Sequence, residues 1–241
     1  AAVTGTNGKT AVVTFLRQIW TGLGRKAASA GTLGIVAQGF ENRKSLTTPD
    51  SAELHRNLRD LARFGVKRLA LEASSHGLSQ HRLDGVKVSI AGFTNMTRDH
   101  LDYHGDMESY FQAKRELFLK KDLKAAVINA DDEYGRRLLG DKKIKCQKIA
   151  YSQSGKQSEL NVADWITSEN TELSLNGLKA DLHTPWGSAK LHSRLLGQFN
   201  LSNLMAVAGA LGVMLGDSHK WIIALNSADA VPGRMQQFSA D

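Results

Sequence analysis

Cysteine is almost missing from this chain, with Cys146 alone among 241 residues. A single thiol cannot build a disulfide framework, and it suits a reducing cytoplasm. Proline is nearly as scarce, at 3 residues, and there is no low-complexity tract or internal repeat, which argues against a disordered or solenoid chain. Aromatic residues make up 7% and do not interleave with basic clusters, so the stacking surface of a single-strand nucleic-acid binder is missing. No apolar run approaches the length of a membrane span, and no signal peptide is visible. These absences lead us to expect a cytoplasmic protein with neither a nucleic-acid nor a membrane partner, and a monomer.

What remains is enough for a full core. Hydrophobic residues make up 41%, and the charge of +7 comes from 31 basic and 24 acidic side chains. That balance suits an anionic ligand. The cations are dispersed, with only short clusters such as Lys120-Lys121 and Lys142-Lys143-Ile144-Lys145. Ala1 lies inside an apparent strand, so the chain reads as a piece of something longer.

Residues 1–150 alternate short apolar strands with helices. The spacing predicts a helix carrying Val12, Val13, Leu16, Ile19, Trp20 and Leu23 on one face, stopped by Gly24. Strands are predicted at Lys26–Gly31, Val66–Glu72, Val88–Thr94, Ala125–Ala130 and Cys146–Tyr151, the last of the series. Further helices follow Asp50 or Ser51, span Met107–Leu119, and cover Asp132–Leu139. This alternation argues a P-loop NTPase-like α/β fold, a mostly parallel sheet with helices on both faces. Between 152 and 196 the period shortens to two, and Asn176-Gly177 marks a hairpin, so a small antiparallel β subdomain is expected. Helices over Asn200–Leu215 and Ser218–Asn226 complete the pattern.

Val3-Thr4-Gly5-Thr6-Asn7-Gly8-Lys9-Thr10 carries the clearest chemistry. A strand precedes it and an amphipathic helix follows. In such a loop, backbone N–H groups face an anion, a lysine reaches the outer phosphates and a threonine hydroxyl can sit on Mg²⁺. Val3 stands where the full Walker pattern has its first glycine. Three polar segments that follow predicted strands (Glu72–Gly77, Thr94–His104 and Asn129–Asp132) should converge with this loop on one rim, because ligands of a parallel sheet bind beyond its carboxyl ends. Glu72 is placed to coordinate Mg²⁺. His100 and His104 are spaced i, i+4 but lack the companions of a zinc site. By periodicity Phe111, Leu117 and Phe118 are core, and Lys114 reads as a lysine on the helix surface. No N-K-x-D follows for guanine, so a GTPase switch is disfavoured.

Six segments in order resemble the Mur ligases: Val3–Thr10, Glu72–Arg82, Thr94–Met107, Tyr110–Phe118, Gly197–Asn203 and Pro232–Met235. Glu-Ala-Ser-Ser-His-Gly-Leu-Ser-Gln-His-Arg and Thr-Arg-Asp-His-Leu-Asp-Tyr-His-Gly-Asp-Met look most like the branch that makes UDP-N-acetylmuramyl-tripeptide. Val3 matches that family's shorter Gly-Thr-Asn-Gly-Lys-Thr form, while Ala11 and Ala73 depart from its common residues.

The resemblance implies a central ATP-binding domain over 1–235, with 236–241 starting a linker and neither the N-terminal UDP-binding domain nor the C-terminal domain within the chain. It assigns ATP to Gly5, Thr6, Asn7, Gly8, Lys9, Thr10, Asn200, Asn203 and Arg234. Mg²⁺ falls to Thr10, Glu72, His100 and Lys114, the last as a carbamate, with Lys9, Lys114 and His100 catalytic. Thr47, Thr48, Ser74, Gln80 and Arg82 match contacts to UDP-muramyl-dipeptide, the acceptor of an amino-acid substrate. The implied reaction is ATP-dependent amide formation through an acyl phosphate, in peptidoglycan synthesis. A folylpolyglutamate synthetase-like ligase and a non-catalytic nucleotide-binding module are the alternatives.

Overall fold

A computed structural model describes residues 1–41, 46–216, 219 and 221–231. The chain opens with β1 (Ala2–Thr4), α1 (Lys9–Gly22), β2 (Ala27–Gly31), β3 (Gly34–Ala37), α2 (Ser51–Arg63), β4 (Arg68–Glu72) and α3 (Ser75–Ser79). It continues through β5 (Ile90–Phe93), α4 (Leu101–His104), α5 (Met107–Arg115), a 3₁₀ turn (Glu116–Leu119), β6 (Ala125–Asn129), α6 (Glu133–Gly140) and β7 (Gln147–Ser152). It closes with β8 (Asp164–Ser174), β9 (Gly177–Thr184), β10 (Gly187–Ser193), α7 (Gln198–Leu215) and α8 (Ile222–Asn226).

Among the described residues the strands form one sheet, in the order β10-β9-β8-β7-β6-β5-β1-β4-β2-β3. Every pairing from β2 across to β8 is parallel. The antiparallel pairs lie at the two edges. Short β1 sits between β4 and β5, with Val3 opposite both Glu72 and Gly92. The carboxyl ends of these three strands therefore reach one rim together.

Alternation along the strands sends apolar side chains to both faces of the sheet, because successive side chains of a strand point to opposite faces. Val3, Ile90, Ala125 and Val127 pack with Val12, Leu16, Ile19 and Trp20 of α1 and with Leu204, Met205 and Leu211 of α7. Ala2, Ala91, Phe93, Ala126 and Ile128 pack with Tyr110 and Phe111 of α5, Leu117 and Phe118 of the 3₁₀ turn, and Leu138 of α6. α7 is more apolar than the sequence pattern suggested: its 18 residues reach a mean hydropathy of 1.3 and are 67% buried within the protein. A helix covered on most sides needs no polar face, and α7 contacts the sheet, α1 and α8.

Three details differ from the sequence expectation. β7 is not the last parallel strand, since Ile149 pairs in parallel with Asp164 of β8. The antiparallel strands between 152 and 196 consequently extend the main sheet across the open edge of β7. Period-two alternation reports the hairpin but says nothing of where its first strand docks. The hairpin turn itself is Leu175-Asn176, because Ser174 pairs with Gly177. Gly177 opens β9 at φ +132, where a Cβ would lie 2.1 Å from the carbonyl oxygen of Ser193. Finally, β3 was not foreseen; it folds back on β2 through a Thr32-Leu33 turn, with Gly31 opposite Gly34.

Candidate functional site

The loop between β1 and α1 is built as an anion cradle. Gly8 precedes the helix in a left-handed conformation, φ 86, and no side chain caps the helix start. The first-turn N–H groups thus face the loop, where a negative group gains from the helix dipole as well. The segment after β5 braces the other side. Thr6 N donates to Asn95 O at 2.8 Å, Asn7 N to Asn95 Oδ1 at 2.9 Å, and Thr97 N to Thr6 Oγ1 at 3.0 Å. The hydroxyl of Thr94 donates to Asn7 O.

Two lysines meet in this loop. Lys9 Nζ donates to the carbonyls of Gly5 and Thr6, each at 2.9 Å. Lys114 Nζ, from the far end of α5, donates to Gly5 O at 2.9 Å and lies 4.3 Å from the centre of the Tyr110 ring. Lys114 is 1% exposed, which overturns the surface-lysine reading given by periodicity alone. Burial first, and then the charge of Lys9, hold its pKa well below the usual 10.5, against the pull of Asp99. Desolvation and a like charge both favour the neutral amine.

Glu72 ends β4 at 1% exposure, and Thr10 is buried at the start of α1. The Glu72 carboxylate accepts from Thr32 N at 2.8 Å and Thr32 Oγ1 at 3.2 Å. An ionised carboxylate can accept about four such bonds, so capacity remains for a cation. Carboxylate and hydroxyl oxygens are the hard donors that Mg²⁺ takes, so the donor chemistry of Glu72 and Thr10 suits that ion. Lys114 does not fit as an ammonium; it would fit only with oxygen ligands, as a carbamate.

His100 immediately precedes α4 in a left-handed conformation, φ 52. Its Nε2 lies 3.5 Å from Asp99 Oδ2, and its ring stands edge-on to Tyr110 at 6.2 Å and to His76 at 5.0 Å. Tyr110 thus neighbours both His100 and Lys114. His104 stacks against His76 and Tyr110. For His76, burial and then the nearby His100 lower the pKa. Among the described residues no group of three or more His, Cys, Asp or Glu has metal-binding geometry.

The five acceptor-contact candidates form one cluster beside Glu72. Thr48 Oγ1 donates to Glu72 O at 2.9 Å and accepts from Ser74 N at 3.0 Å. Arg82 Nη1 donates to Thr48 O at 2.6 Å, and its Nε to Gln80 Oε1 at 3.0 Å. Ser74 Oγ is occupied in capping α3, accepting from Gly77 N at 3.1 Å. Thr47 Oγ1 lies 3.2 Å from Thr32 Oγ1. On the opposite side of the loop, a cavity of about 630 Å³ is lined by Gly8, Phe15, Asn95, Phe199, Asn200 and Asn203 among others. Asn200 and Asn203 are thus brought to the loop, whereas Arg234 and residues 236–241 lie outside the described residues.

The Mur ligase middle domain family matches residues 3–211. The chain belongs to the Mur ligase family. This Mur ligase domain is 38% identical over 234 residues to the UDP-N-acetylmuramoyl-L-alanyl-D-glutamate–2,6-diaminopimelate ligase of Coxiella burnetii, covering 97% of this chain and 47% of that protein. It is 41% identical over 235 residues to the protein of the same description in Xylella fastidiosa, covering 98% and 46% respectively. A solved structure described as the same ligase superposes with a TM-score of 0.87 at 34% identity, over 100% of this chain and 48% of that one. A pseudomurein peptide ligase type C from Methanothermus fervidus shares the fold, with a TM-score of 0.70 at 20% identity, over 98% and 50% of the two chains. The chain spans about half the length of the curated relatives it matches.

Sequence reasoning missed several residues of this Mur ligase site. Asn95 and Thr94 sit in the polar segment after β5 but gave no sign that they would hold the phosphate loop. Tyr110 carried no role of its own in the sequence; its ring lies under Lys114, and its hydroxyl is 3.3 Å from Thr6 Oγ1. Thr32 had no signal beyond following a strand that ends in glycine.

Proposed function

We propose that this domain is the ATP- and Mg²⁺-binding centre of a ligase that adds meso-diaminopimelate, or L-lysine, to UDP-N-acetylmuramyl-L-alanyl-D-glutamate. The observation that carries the reading is the meeting of Lys9 and the buried Lys114 at Gly5 O, between the 630 Å³ cavity and the Glu72 cluster. A nucleotide would place its base in the cavity near Asn200 and Asn203 and its phosphates over the N–H groups at the start of α1. The acceptor would lie on the opposite side, against Thr47, Thr48, Ser74, Gln80 and Arg82. The names of the relatives favour diaminopimelate over lysine as the incoming amino acid.

In this arrangement Lys9 leaves the carbonyls of Gly5 and Thr6 to neutralise charge on the transferring phosphoryl group. Thr10 and Glu72 would hold Mg²⁺, with His100 and a carbamylated Lys114 completing the second metal position. The bound metal supplies charge neutralisation on the phosphates and on the acceptor carboxylate. Burial pushes the Lys114 amine toward its neutral form, the form that reacts with CO₂, since a protonated amine has no lone pair to attack with. Arg82, already fixed by Thr48 O and Gln80 Oε1, presents a planar fork to an anionic group of the acceptor. The activated D-glutamate side-chain carboxylate, an acyl phosphate, is attacked by the amine of the incoming residue, releasing phosphate and forming the amide. Positioning supplies much of the rate, so the remaining half of the protein is needed for turnover. We place the reaction in the cytoplasm, in a monomer.

The test is ligation by the full-length protein. Incubation with ATP, Mg²⁺, UDP-N-acetylmuramyl-L-alanyl-D-glutamate and either diaminopimelate or lysine should release phosphate in step with a new amide-linked product, seen by mass spectrometry. ADP formation that responds to a folate acceptor and not to the muramyl dipeptide would overturn the reading.

A further inference from the structure

Glu72 does not reach its position by burial alone. β2 ends at Gly31, and a Cβ placed there would lie 2.1 Å from Glu72 Oε1 and 2.4 Å from its carboxyl carbon. The carboxylate therefore occupies the space that any other side chain at position 31 would fill. The next residue holds it from two directions, through Thr32 N at 2.8 Å and Thr32 Oγ1 at 3.2 Å. Both contacts come from the two-residue turn between β2 and β3, which the hairpin register fixes.

The hydroxyl contacts also have a direction. Thr32 Oγ1 touches Glu72 Oε2 and Thr47 Oγ1, the second at 3.2 Å. A threonine hydroxyl has one hydrogen, and an ionised carboxylate only accepts. The Thr32 hydrogen therefore goes to Glu72, and Thr47 donates to Thr32. The result is a polarised chain, Thr47 to Thr32 to Glu72, in which each bond strengthens the next. A second connection runs beside it, from the Thr48 hydroxyl to the Glu72 carbonyl oxygen at 2.9 Å.

We propose that Thr32 is a positioning residue: its hydroxyl orients the Glu72 carboxylate for metal binding and couples that orientation to the loop carrying Thr47 and Thr48. The proposal rests on the reading of Glu72 as a metal ligand. It assigns Thr32 no contact with the metal. Partners that orient a ligating carboxylate are commonly worth 10- to 100-fold in metal affinity or activity when removed. Thr32 is exposed on its outer side, so exchanging its hydroxyl for a methyl group leaves the core untouched.

The experiment uses the full-length protein, Mn²⁺ as the probe and a non-hydrolysable ATP analogue. Mn²⁺ binding is followed by electron paramagnetic resonance, alongside Mg²⁺-dependent turnover and a thermal melt. Thr32→Val should weaken Mn²⁺ binding by about 10-fold and raise the Mg²⁺ concentration needed for half-maximal rate by a similar factor. At saturating Mg²⁺ the KM for ATP should stay within about twofold of the wild type, on the same reasoning. Thr32→Ser, which keeps the hydroxyl, should restore Mn²⁺ binding. Gly31→Ala, which displaces the carboxylate sterically, should reproduce the Thr32→Val defect. Glu72→Gln separates the two readings. If Glu72→Gln binds Mn²⁺ as the wild type does, the ligand assignment fails and this proposal fails with it. If Glu72→Gln loses Mn²⁺ binding but a folded Thr32→Val does not, the positioning role alone is overturned.

Discussion

Lys9 and Lys114, 105 positions apart in sequence, donate hydrogen bonds to the same atom, the carbonyl oxygen of Gly5, each at 2.9 Å. The two amines share one neutral acceptor, and burial beside Lys9 pushes that of Lys114 toward its neutral form. Negative charge arriving here, on a phosphate or on Lys114 itself, would be stabilised by the cation of Lys9. The loop is thereby prepared for an anion.

Replacing Lys114 should separate stability from function. Lys114→Met keeps the length of the side chain and removes a buried amine that is costly to desolvate, so the variant should stay folded. Turnover of the full-length enzyme should fall about 100- to 1000-fold, the usual cost of losing one electrostatic partner of a reaction. With ¹³C-bicarbonate, the wild type should show a carbamate carbon resonance that Lys114→Met lacks. The pH dependence has a definite sign. The folded pKa of Lys114 lies well below 10.5, so between those values the unfolded chain holds a proton that the folded one sheds. Its contribution therefore favours folding increasingly as pH rises through that window, and Lys114→Met should lose the rise in a denaturant titration series.

Gly8→Ala should damage the nucleotide side specifically. The new Cβ would lie 2.5 Å from Asn203 Oδ1 in a backbone at φ +86. A non-glycine residue held there costs on the order of 1–2 kcal/mol, and Asn203 must leave the cavity wall. Binding of a fluorescent ATP analogue should weaken about 10-fold or more, equivalent to about 1.4 kcal/mol.

Asp132 ties the loop after β5 to the start of α6, accepting from Met96 N at 2.9 Å, Tyr134 N at 2.9 Å and Gly135 N at 3.1 Å. Asp132→Asn turns one accepting oxygen into a donor facing another donor. Stability should drop by about 2 kcal/mol, read as a shifted denaturation midpoint with an unchanged slope. Burial, the largest influence, raises the Asp132 pKa above 3.8 despite the three N–H groups. With the folded value raised, the protonated form favours folding below the unfolded value, and that contribution disappears as pH climbs through the folded value.

Arg82→Lys should act on the acceptor alone. Lysine keeps the charge and loses the fork that bonds both Thr48 O and Gln80 Oε1. The KM for the muramyl dipeptide should rise about 10- to 100-fold, matching the loss of one charged hydrogen bond or two. The KM for ATP should be unchanged, and an equal rise in both constants would show that Arg82 does not discriminate the two sides.

Local pattern was enough to place most of this fold. The amphipathic face of α1, the Asp50 cap of α2, with Glu53 N donating to it at 3.0 Å, and the strand-helix alternation all follow from side chains a few residues apart. The loop after β1 was legible for the same reason, since the residues that form it lie together within Gly5–Thr10. Lys114 was not, because one turn of α5 reads as polar surface until β1 and its loop come to lie over it. Thr32 became visible only when the β2–β3 turn folded against β4. The docking of β8 on β7 depended likewise on an edge that sequence periodicity does not describe. The sequence by itself determined most of the elements, the loop after β1 and the family. The tertiary structure decided which charges are buried together, because desolvation and the meeting of Lys9, Lys114 and Glu72 at one rim depend on contacts between segments far apart in the chain.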